Sequence, residues 1–340
     1  MVKEAETWFE RVPKVELHLH VEGAIPYEVL WELVKKYGGD PSVKNLKTLK
    51  DKFIFRDFPH FLETWGWKNG FIGEYDDFKL IGESVARDLA AQNIRYVEAF
   101  CSPSDFRGQK LQTQKIIEAI RAGLEKIPGI TINLVVDFCR DCGVENAVKN
   151  LAEVNEIKNL GVIGFTIGGS EQKYPPEPFT AVYEKARQLG FHTSAHAGEA
   201  AGPESVWAAI RNLKVERIGH GTRIHEDPTL EEYVVDHKIP LEVCPISNVK
   251  TRVVDSIKDH PVRRYFKKGV VVTINTDDPK MFGNSLAEEY RELNKHLGFT
   301  KKDIQKVILN GIKSSWLSED EKKNLTTSFI DDKNWEPQRE

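Results

Sequence analysis

Disulfide-forming cysteines, membrane-length apolar runs and basic stripes are what this chain is short of. Four cysteines in 340 residues are too few for the disulfide framework of a small secreted domain. No stretch approaches the roughly 20 apolar residues of a membrane helix. Residues 1–14 mix charges with single apolar side chains and hold no apolar segment of signal-peptide length. Lysine and arginine number 48 against 52 aspartates and glutamates, and both signs are spread along the chain, so the basic stripe that nucleic-acid binding requires is missing. No Gly-x-Gly-x-x-Gly follows the first predicted strand, which disfavours a dinucleotide fold. With 40% hydrophobic and 29% charged residues a sizeable core is affordable. The expectation is a cytoplasmic, soluble protein with a single domain over residues 1–340 and with neither nucleic acid nor membrane as a partner.

Cys139-Arg140-Asp141-Cys142 has the spacing of a redox or zinc motif. A zinc ribbon needs a second such pair, and a thioredoxin-like site opens a helix after the first strand. Here the pair closes a later strand, residues 132–138, and is read as a strand end with two incidental thiols.

What is present is a regular alternation. Strand-like runs at 15–20, 94–101, 132–138, 162–167, 191–195, 217–221, 241–246 and 270–276 are each followed by a helical pattern. Such alternation predicts a parallel sheet, and eight units predict a closed (β/α)8 TIM barrel. The connection after the first strand, about residues 41–91, is atypically long and holds the aromatic group Phe58, Phe61, Leu62, Trp65, Trp67 and Phe71. Two readings stay open for it, helices packed on the core or an inserted helical lid over a pocket. The tail, residues 318–340, is polar and is expected to pack outside the barrel or fray.

Four fragments carry the chemistry: Glu16-Leu17-His18-Leu19-His20, His196-Ala197-Gly198-Glu199, His220 in Arg217 to Gly221, and Asn275 to Pro279 with Asp277 and Asp278. All four end predicted strands, and the C-terminal strand ends of a barrel converge on one face. Residues i and i+2 of a strand share a side, so His18 and His20 can bind one metal while Leu17 and Leu19 face the helices. His18, His20 and His196 with Asp277 make a nitrogen-rich set that suits zinc and leaves room for water, whose pKa a bound zinc lowers to about 7. Glu199 and His220 remain beside it as proton handlers, and Asp278 points toward whatever fills the pocket. Gly168-Gly169 at the fourth strand end lets backbone approach a ligand closely. Glu16 falls on the histidines' side, with a structural hydrogen bond as its only evident use. These parts amount to metal-assisted hydrolysis.

On the same fragments, together with Gly23-Ala24, the run from His196 to Ser205 and Ser247-Asn248, the chain resembles the adenosine deaminase family of metal-dependent hydrolase barrels over roughly residues 13–317. The resemblance implies one zinc ion per subunit, held by His18, His20, His196 and Asp277. It implies that Glu199 protonates a purine ring nitrogen and that His220, with Asp277, orients and deprotonates the attacking water. Asp278 would bond the five-membered ring and the Gly169 N–H the six-membered ring. Phe61, Leu62 and Trp65 match the family's lid, and His20 and Glu22 would also face the substrate. The implied reaction is hydrolytic deamination of a 6-aminopurine at C6, adenosine to inosine first, with adenine or aminofutalosine as the alternative. Glu22 stands where an adenosine-type enzyme has aspartate, and Ser170-Glu171 followed by Tyr174-Pro175-Pro176 is similar to the adenine branch. Thr166 to Gly169 replaces a stretch that usually starts with aspartate. Two-metal hydrolases bridged by a lysine are disfavoured because residues 162–170 contain none. The Pro-Cys-x-x-Cys of cytidine-deaminase-like enzymes is missing, and a non-catalytic barrel relative would not need to retain Glu199 and His220.

Overall fold

The apolar runs assemble into one eight-stranded sheet whose order follows the chain. In the computed structural model, which describes residues 7–336, the strands are β1 (Lys14–His20), β2 (Ile94–Cys101), β3 (Thr131–Asp137), β4 (Val162–Thr166), β5 (His192–Ala197), β6 (Arg217–His220), β7 (Leu241–Val243) and β8 (Val272–Ile274). Each pairs in parallel with the next. The ring is completed beyond β8, where Asp277 N–H donates to His18 O at 3.0 Å and His20 N–H donates to Asp277 O at 2.9 Å. Helices surround the sheet, as expected of a (β/α)8 TIM barrel.

Strand β1 is buried along its whole length. Its odd-numbered apolar residues face outward, with Val15 packed against Gly311 of the helix Lys301–Ser314. The even-numbered residues face the barrel interior. Glu16 makes there the structural hydrogen bond expected of it, and the structure supplies the partner: its Oε1 accepts the Thr276 N–H at 2.6 Å and so ties β1 to the chain leaving β8. β7 is shorter than its apolar run predicts, because Pro245 opens the helix Pro245–Lys250 and proline is suited to a first helical turn. The helical pattern that follows β3 is likewise divided, into Gly143–Asn155 and a short 3-10 turn Lys158–Leu160.

The long connection after β1 forms three helices, Leu46–Asp51, Phe58–Asn69 and Tyr75–Ala91. Asn45 and Asp57 cap the first two by accepting N–H groups of Thr48 and His60, satisfying donors that a helix start leaves open. The middle helix holds Phe61 between Phe55 and Phe282, with ring centroids 5.4 and 5.3 Å apart. The third helix crosses Thr113–Leu124 at two glycines. A Cβ on Gly82 would stand 2.5 Å from Ile120 O, and one on Gly123 would stand 2.1 Å from Lys79 O. The two backbones are in contact, with no room for a methyl group.

Of the polar tail, residues 337–340 lie outside the described residues, as do residues 1–6. Within it the helix Glu319–Ile330 is capped by Ser318, which accepts from Glu321 N–H, and buries Phe329 beside Trp335. No helix among the described residues is long and apolar enough to cross a membrane.

The glycine crossing yields a stability prediction. Gly123→Ala should lower unfolding free energy by about 1–3 kcal/mol through overpacking, despite alanine's better helix propensity. Urea denaturation should show a lower midpoint at unchanged slope, and a midpoint at or above wild type would mean that the helices can separate without cost.

Candidate active site

The C-terminal ends of β1, β5, β6 and β8 carry the four fragments to one place. At two of these ends the backbone takes a left-handed bend at a residue other than glycine, His220 at φ 61° and Asp277 at φ 64°. Such conformations cost about 1–3 kcal/mol each and persist only where surrounding structure enforces them. Here the barrel-closing hydrogen bonds hold Asp277, and Gly221 N–H donates to Ala197 O at 3.1 Å beside His220.

His18, His20, His196 and Asp277 each offer one ligand atom, all buried and all within 4.8 Å of one another. His20 Nε2 and His196 Nε2 are 3.1 Å apart, and Asp277 Oδ1 lies 3.3 Å from His18 Nε2 and 3.4 Å from His20 Nε2. His220 and Cys244 form an overlapping set with His18 and Asp277. Three imidazoles and a carboxylate are a donor set that fits zinc. The electrostatics also fit a cation. Burial opposes a charge on His18, yet hydrogen bonds to Asp277 and Glu242 push its pKa up to about 10. Asp277 is buried too, and His18 and His220 hold it below the usual carboxylate range.

Outer contacts orient these groups. Glu242 Oε2 accepts from His18 Nδ1 at 2.9 Å, which directs Nε2 to the shared point. Ser247 Oγ donates to Asp277 Oδ2 at 2.7 Å. Behind Glu242 lies an ion relay: Arg217 pairs with Glu242 Oε1 and Glu98 Oε2, both at 2.6 Å, and its guanidinium lies 3.6 Å from the Trp316 ring centroid. All three charged residues are fully buried.

Glu199 and His220 stand beside the cluster, with His220 Nε2 3.5 Å from Glu199 Oε2 and 3.9 Å from Asp277 Oδ2. Burial, then the Asp277 and Glu171 charges, raise the Glu199 carboxyl well above its ordinary value, which favours its proton-bearing form. Burial lowers His220 to about 3 in spite of Asp277, so its imidazole is neutral. Asn248 lies between them, its Nδ2 3.3 Å from Glu199 Oε1 and 3.2 Å from His220 Nδ1. Its Oδ1 accepts from Thr222 Oγ1 at 2.9 Å. The loop bearing Glu199 is gathered by Glu171, whose carboxylate accepts N–H groups of Gly198, Glu199, Ala200 and Ala201 at 2.6, 3.2, 2.7 and 2.9 Å.

These groups open into a pocket whose wall includes Phe58, Phe61, Leu62, Trp65, Gly168, Gly169 and Asp278. Burial and the Asp277 charge raise Asp278 well above the carboxylate range, and its Oδ1 has no hydrogen-bond partner. Gly169 sits at φ 95°, and a Cβ there would stand 2.3 Å from Asp141 Oδ2, so only glycine suits the position. Glu22 lies one layer back. Its Oε1 accepts the N–H of Ser102, a wall residue, at 2.9 Å, and its Oε2 is unpartnered. Burial pushes its pKa up to about 7. Under it Lys68, also buried, donates to Glu22 O at 2.8 Å and lies 4.3 Å from the Trp65 ring centroid.

Every residue singled out for the site from the sequence thus lies in or directly behind one pocket. The supports Arg217, Glu98, Glu242 and Lys68 were given no role, and Glu171 was read only as a mark of the adenine branch, although charged residues within apolar strand runs, Glu98, Arg217 and Glu242, were a visible signal. Cys139 and Cys142, read as incidental, are part of the pocket wall.

With this geometry in view, the known relatives are informative. The family model described as "Adenosine deaminase" matches residues 13–332. An adenine deaminase of Crocosphaera subtropica is 36% identical over 94% of this chain and 99% of its own. An aminodeoxyfutalosine deaminase of Streptomyces avermitilis is 33% identical over 93% of this chain and 89% of its own. The crystal structure of an adenine deaminase from Arthrobacter aurescens superposes with a TM-score of 0.89 at 28% identity, covering 94% of this chain and 98% of that one. A zinc-bound amidohydrolase from Burkholderia ambifaria superposes at 0.87 with 27% identity, covering 97% and 94%.

The ion relay can be tested directly. Arg217→Met leaves Glu98 and Glu242 buried without their cation and should cost about 3–5 kcal/mol of stability, read from the urea midpoint. A loss below about 1 kcal/mol, the range of an exposed pair, would show that the relay is dispensable.

Proposed function

Because this chain belongs to the adenosine deaminase family, we propose that it is a zinc-dependent aminohydrolase that adds water at C6 of a 6-aminopurine and releases ammonia. The observation that carries the reading is the meeting, in one buried pocket, of four metal-ligand atoms with the Glu199 carboxyl and the His220 imidazole, 3.5 Å from each other. His18, His20, His196 and Asp277 would hold the ion. When bound, zinc supplies a Lewis acid that brings the pKa of water near 7.

The protein's own groups do the rest. His220, neutral and 3.9 Å from Asp277 Oδ2, accepts a proton from water held between them. Glu199, protonated, donates to the purine ring nitrogen next to C6, so negative charge does not accumulate on the ring as C6 becomes tetrahedral. The proton taken from water then goes to the departing amino group, the remaining hydroxyl proton returns to Glu199 as the C6 carbonyl forms, and one purine plus one water yields one 6-oxopurine plus one ammonia. Asp278, whose carboxyl is raised well above its ordinary value and whose Oδ1 is unpartnered, donates to the five-membered ring, and Gly169 N–H to the six-membered ring. The helix Phe58–Asn69 covers the base with Phe61, Leu62 and Trp65, excluding bulk water.

For the substrate, adenine takes precedence over adenosine, the first expectation from the sequence. The relatives named above act on adenine and aminodeoxyfutalosine, and Glu22 offers a buried, unpartnered Oε2 behind the Ser102 wall. Free adenine carries a ring N–H where adenosine carries ribose, and an unpartnered acceptor can receive it. Aminodeoxyfutalosine is the second reading, favoured by the Streptomyces relative.

Two outcomes are expected. Glu199→Gln should keep its zinc, measured by atomic emission, and lose about 10²–10⁴-fold in kcat, the typical worth of a positioned proton donor. Near-normal turnover in the zinc-loaded variant would remove Glu199 from this role. In a panel of adenine, adenosine, 2′-deoxyadenosine and aminodeoxyfutalosine, followed by loss of absorbance at the adenine band, adenine should have the highest kcat/KM. Glu22→Asp should narrow that preference, and selectivity indistinguishable from wild type would exclude Glu22 from substrate choice.

A further inference from the structure

The proposed reaction leaves unused the motif Cys139-Arg140-Asp141-Cys142. Its sulfurs are half-buried on the pocket wall and stand 3.1 Å apart. Cys142 N–H donates to Cys139 O at 3.0 Å, and a turn of this kind brings its first and fourth Cα within about 7 Å, close to the span that disulfides bridge. Cys139 occupies the left-handed region at φ 51° without being glycine, a strained conformation that needs local support. The support is visible: Cys139 N–H donates to Asp137 Oδ1 at 2.9 Å. The other two cysteines, Cys101 and Cys244, are fully buried and out of reach of solvent.

A soft cation is the competing use of the pair, since Asp105 completes a group of three possible ligands with Cys139 and Cys142. Three facts weigh against it. Sulfurs sharing a tetrahedral zinc at about 2.3 Å each would stand about 3.8 Å apart, wider than this pair. Asp105 Oδ2 already accepts from Trp65 Nε1 at 2.6 Å and Asn69 Nδ2 at 3.1 Å. Arg107 Nη1 already lies 2.9 Å from Cys142 Sγ. That guanidinium favours thiolate at Cys142 and makes it the attacking sulfur.

We propose that Cys139 and Cys142 are a reversible dithiol–disulfide pair whose oxidation state sets the affinity of the neighbouring pocket for its purine, with a small-molecule disulfide as the oxidant. Cys142 thiolate attacks one sulfur of the small disulfide and expels the other half as thiolate. Cys139 sulfur then attacks Cys142 sulfur in the mixed disulfide and expels the second half. The Cys139 proton leaves with a released thiolate, so one protein dithiol and one small disulfide become one protein disulfide and two small thiols.

The turn between the cysteines holds the purine-facing loop. Asp141 accepts Ser170 N–H at 2.7 Å and Ser170 Oγ–H at 2.5 Å, and Arg140 N–H donates to Gly168 O at 3.0 Å. Closing the bond draws the sulfurs to about 2 Å, tightens this turn and takes the thiolate acceptor away from Arg107. Glu199 follows β5, His220 ends β6, and neither shares a hydrogen bond with the cysteines, so the effect falls on binding more than on turnover.

The kinetic half rests on the deaminase reading; the covalent half does not. Metal-loaded full-length protein is titrated with oxidised against reduced glutathione, alkylated without denaturation, and mapped by mass spectrometry. The expected result is a Cys139–Cys142 linked peptide, reversed by dithiothreitol, with Cys101 and Cys244 unlabelled. KM should rise about ten-fold on oxidation, the worth of roughly one hydrogen bond, with a smaller change in kcat. Cys139→Ser should stop at a glutathione adduct on Cys142 and form no bridge. Free thiols at oxidising ratios, a stable adduct on the wild-type protein, or a bridge that leaves KM unchanged would each overturn the proposal. Absence of turnover in the reduced enzyme would count against the deaminase reading alone, and the peptide map would still decide for or against the pair.

Discussion

The hydrogen bonds that join Asp277 to His18 and His20 are the constraint on which the rest depends. They close the barrel between its last and first strands. In doing so they set the backbone of one carboxylate directly against the strand that bears two imidazoles. Fold closure and assembly of the cation site are therefore one event. The left-handed backbone at Asp277 is tolerated because these bonds and the Glu16 carboxyl on Thr276 N–H hold the chain on both sides of the bend.

Charge is the second organising principle. The barrel interior around β1, β2, β6 and β7 holds Glu98, Arg217, Glu242 and His18 in a line of contacts. Buried ions of this kind contribute little net stability compared with apolar packing. What they supply here is orientation: Arg217 holds Glu242, and Glu242 presents His18 with its Nε2 toward the pocket. On the other side of the cluster, burial drives apart the proton affinities of neighbouring groups, raising the Glu199 and Asp278 carboxyls well above their ordinary values and lowering His220 to about 3. A site that must both give and take a proton at neutral pH needs such a separation.

Substrate choice and chemistry are read from different parts of the molecule. The chemistry rests on strand ends, which the sheet holds rigid. The rest of the pocket wall draws on the loop at Gly168–Ser170, the turn at Cys139–Cys142 and the helix Phe58–Asn69, the surface proposed to meet the base. These lie on connections, where sequence can vary without disturbing the barrel. Relatives of similar identity that act on adenine and on aminodeoxyfutalosine are consistent with that division.

Much of this was legible in the chain itself. The alternation of apolar runs and helical patterns determined the barrel, since eight such units bury their apolar faces only by closing on one another. The placement of His18, His20, His196, His220 and Asp277 at strand ends followed from it, because a parallel ring sends all those ends to one side. Tertiary structure alone decided the rest. Glu16 found Thr276 across the seam, 260 residues away in sequence, Glu171 found the N–H groups after β5, and Arg217 found two acids on different strands. Such partners are set by which strands become neighbours and how far each twists, and no local pattern of residue types encodes that. The same holds for Cys139 and Cys142: their spacing was plain in the sequence, but only the folded chain turned them toward a pocket.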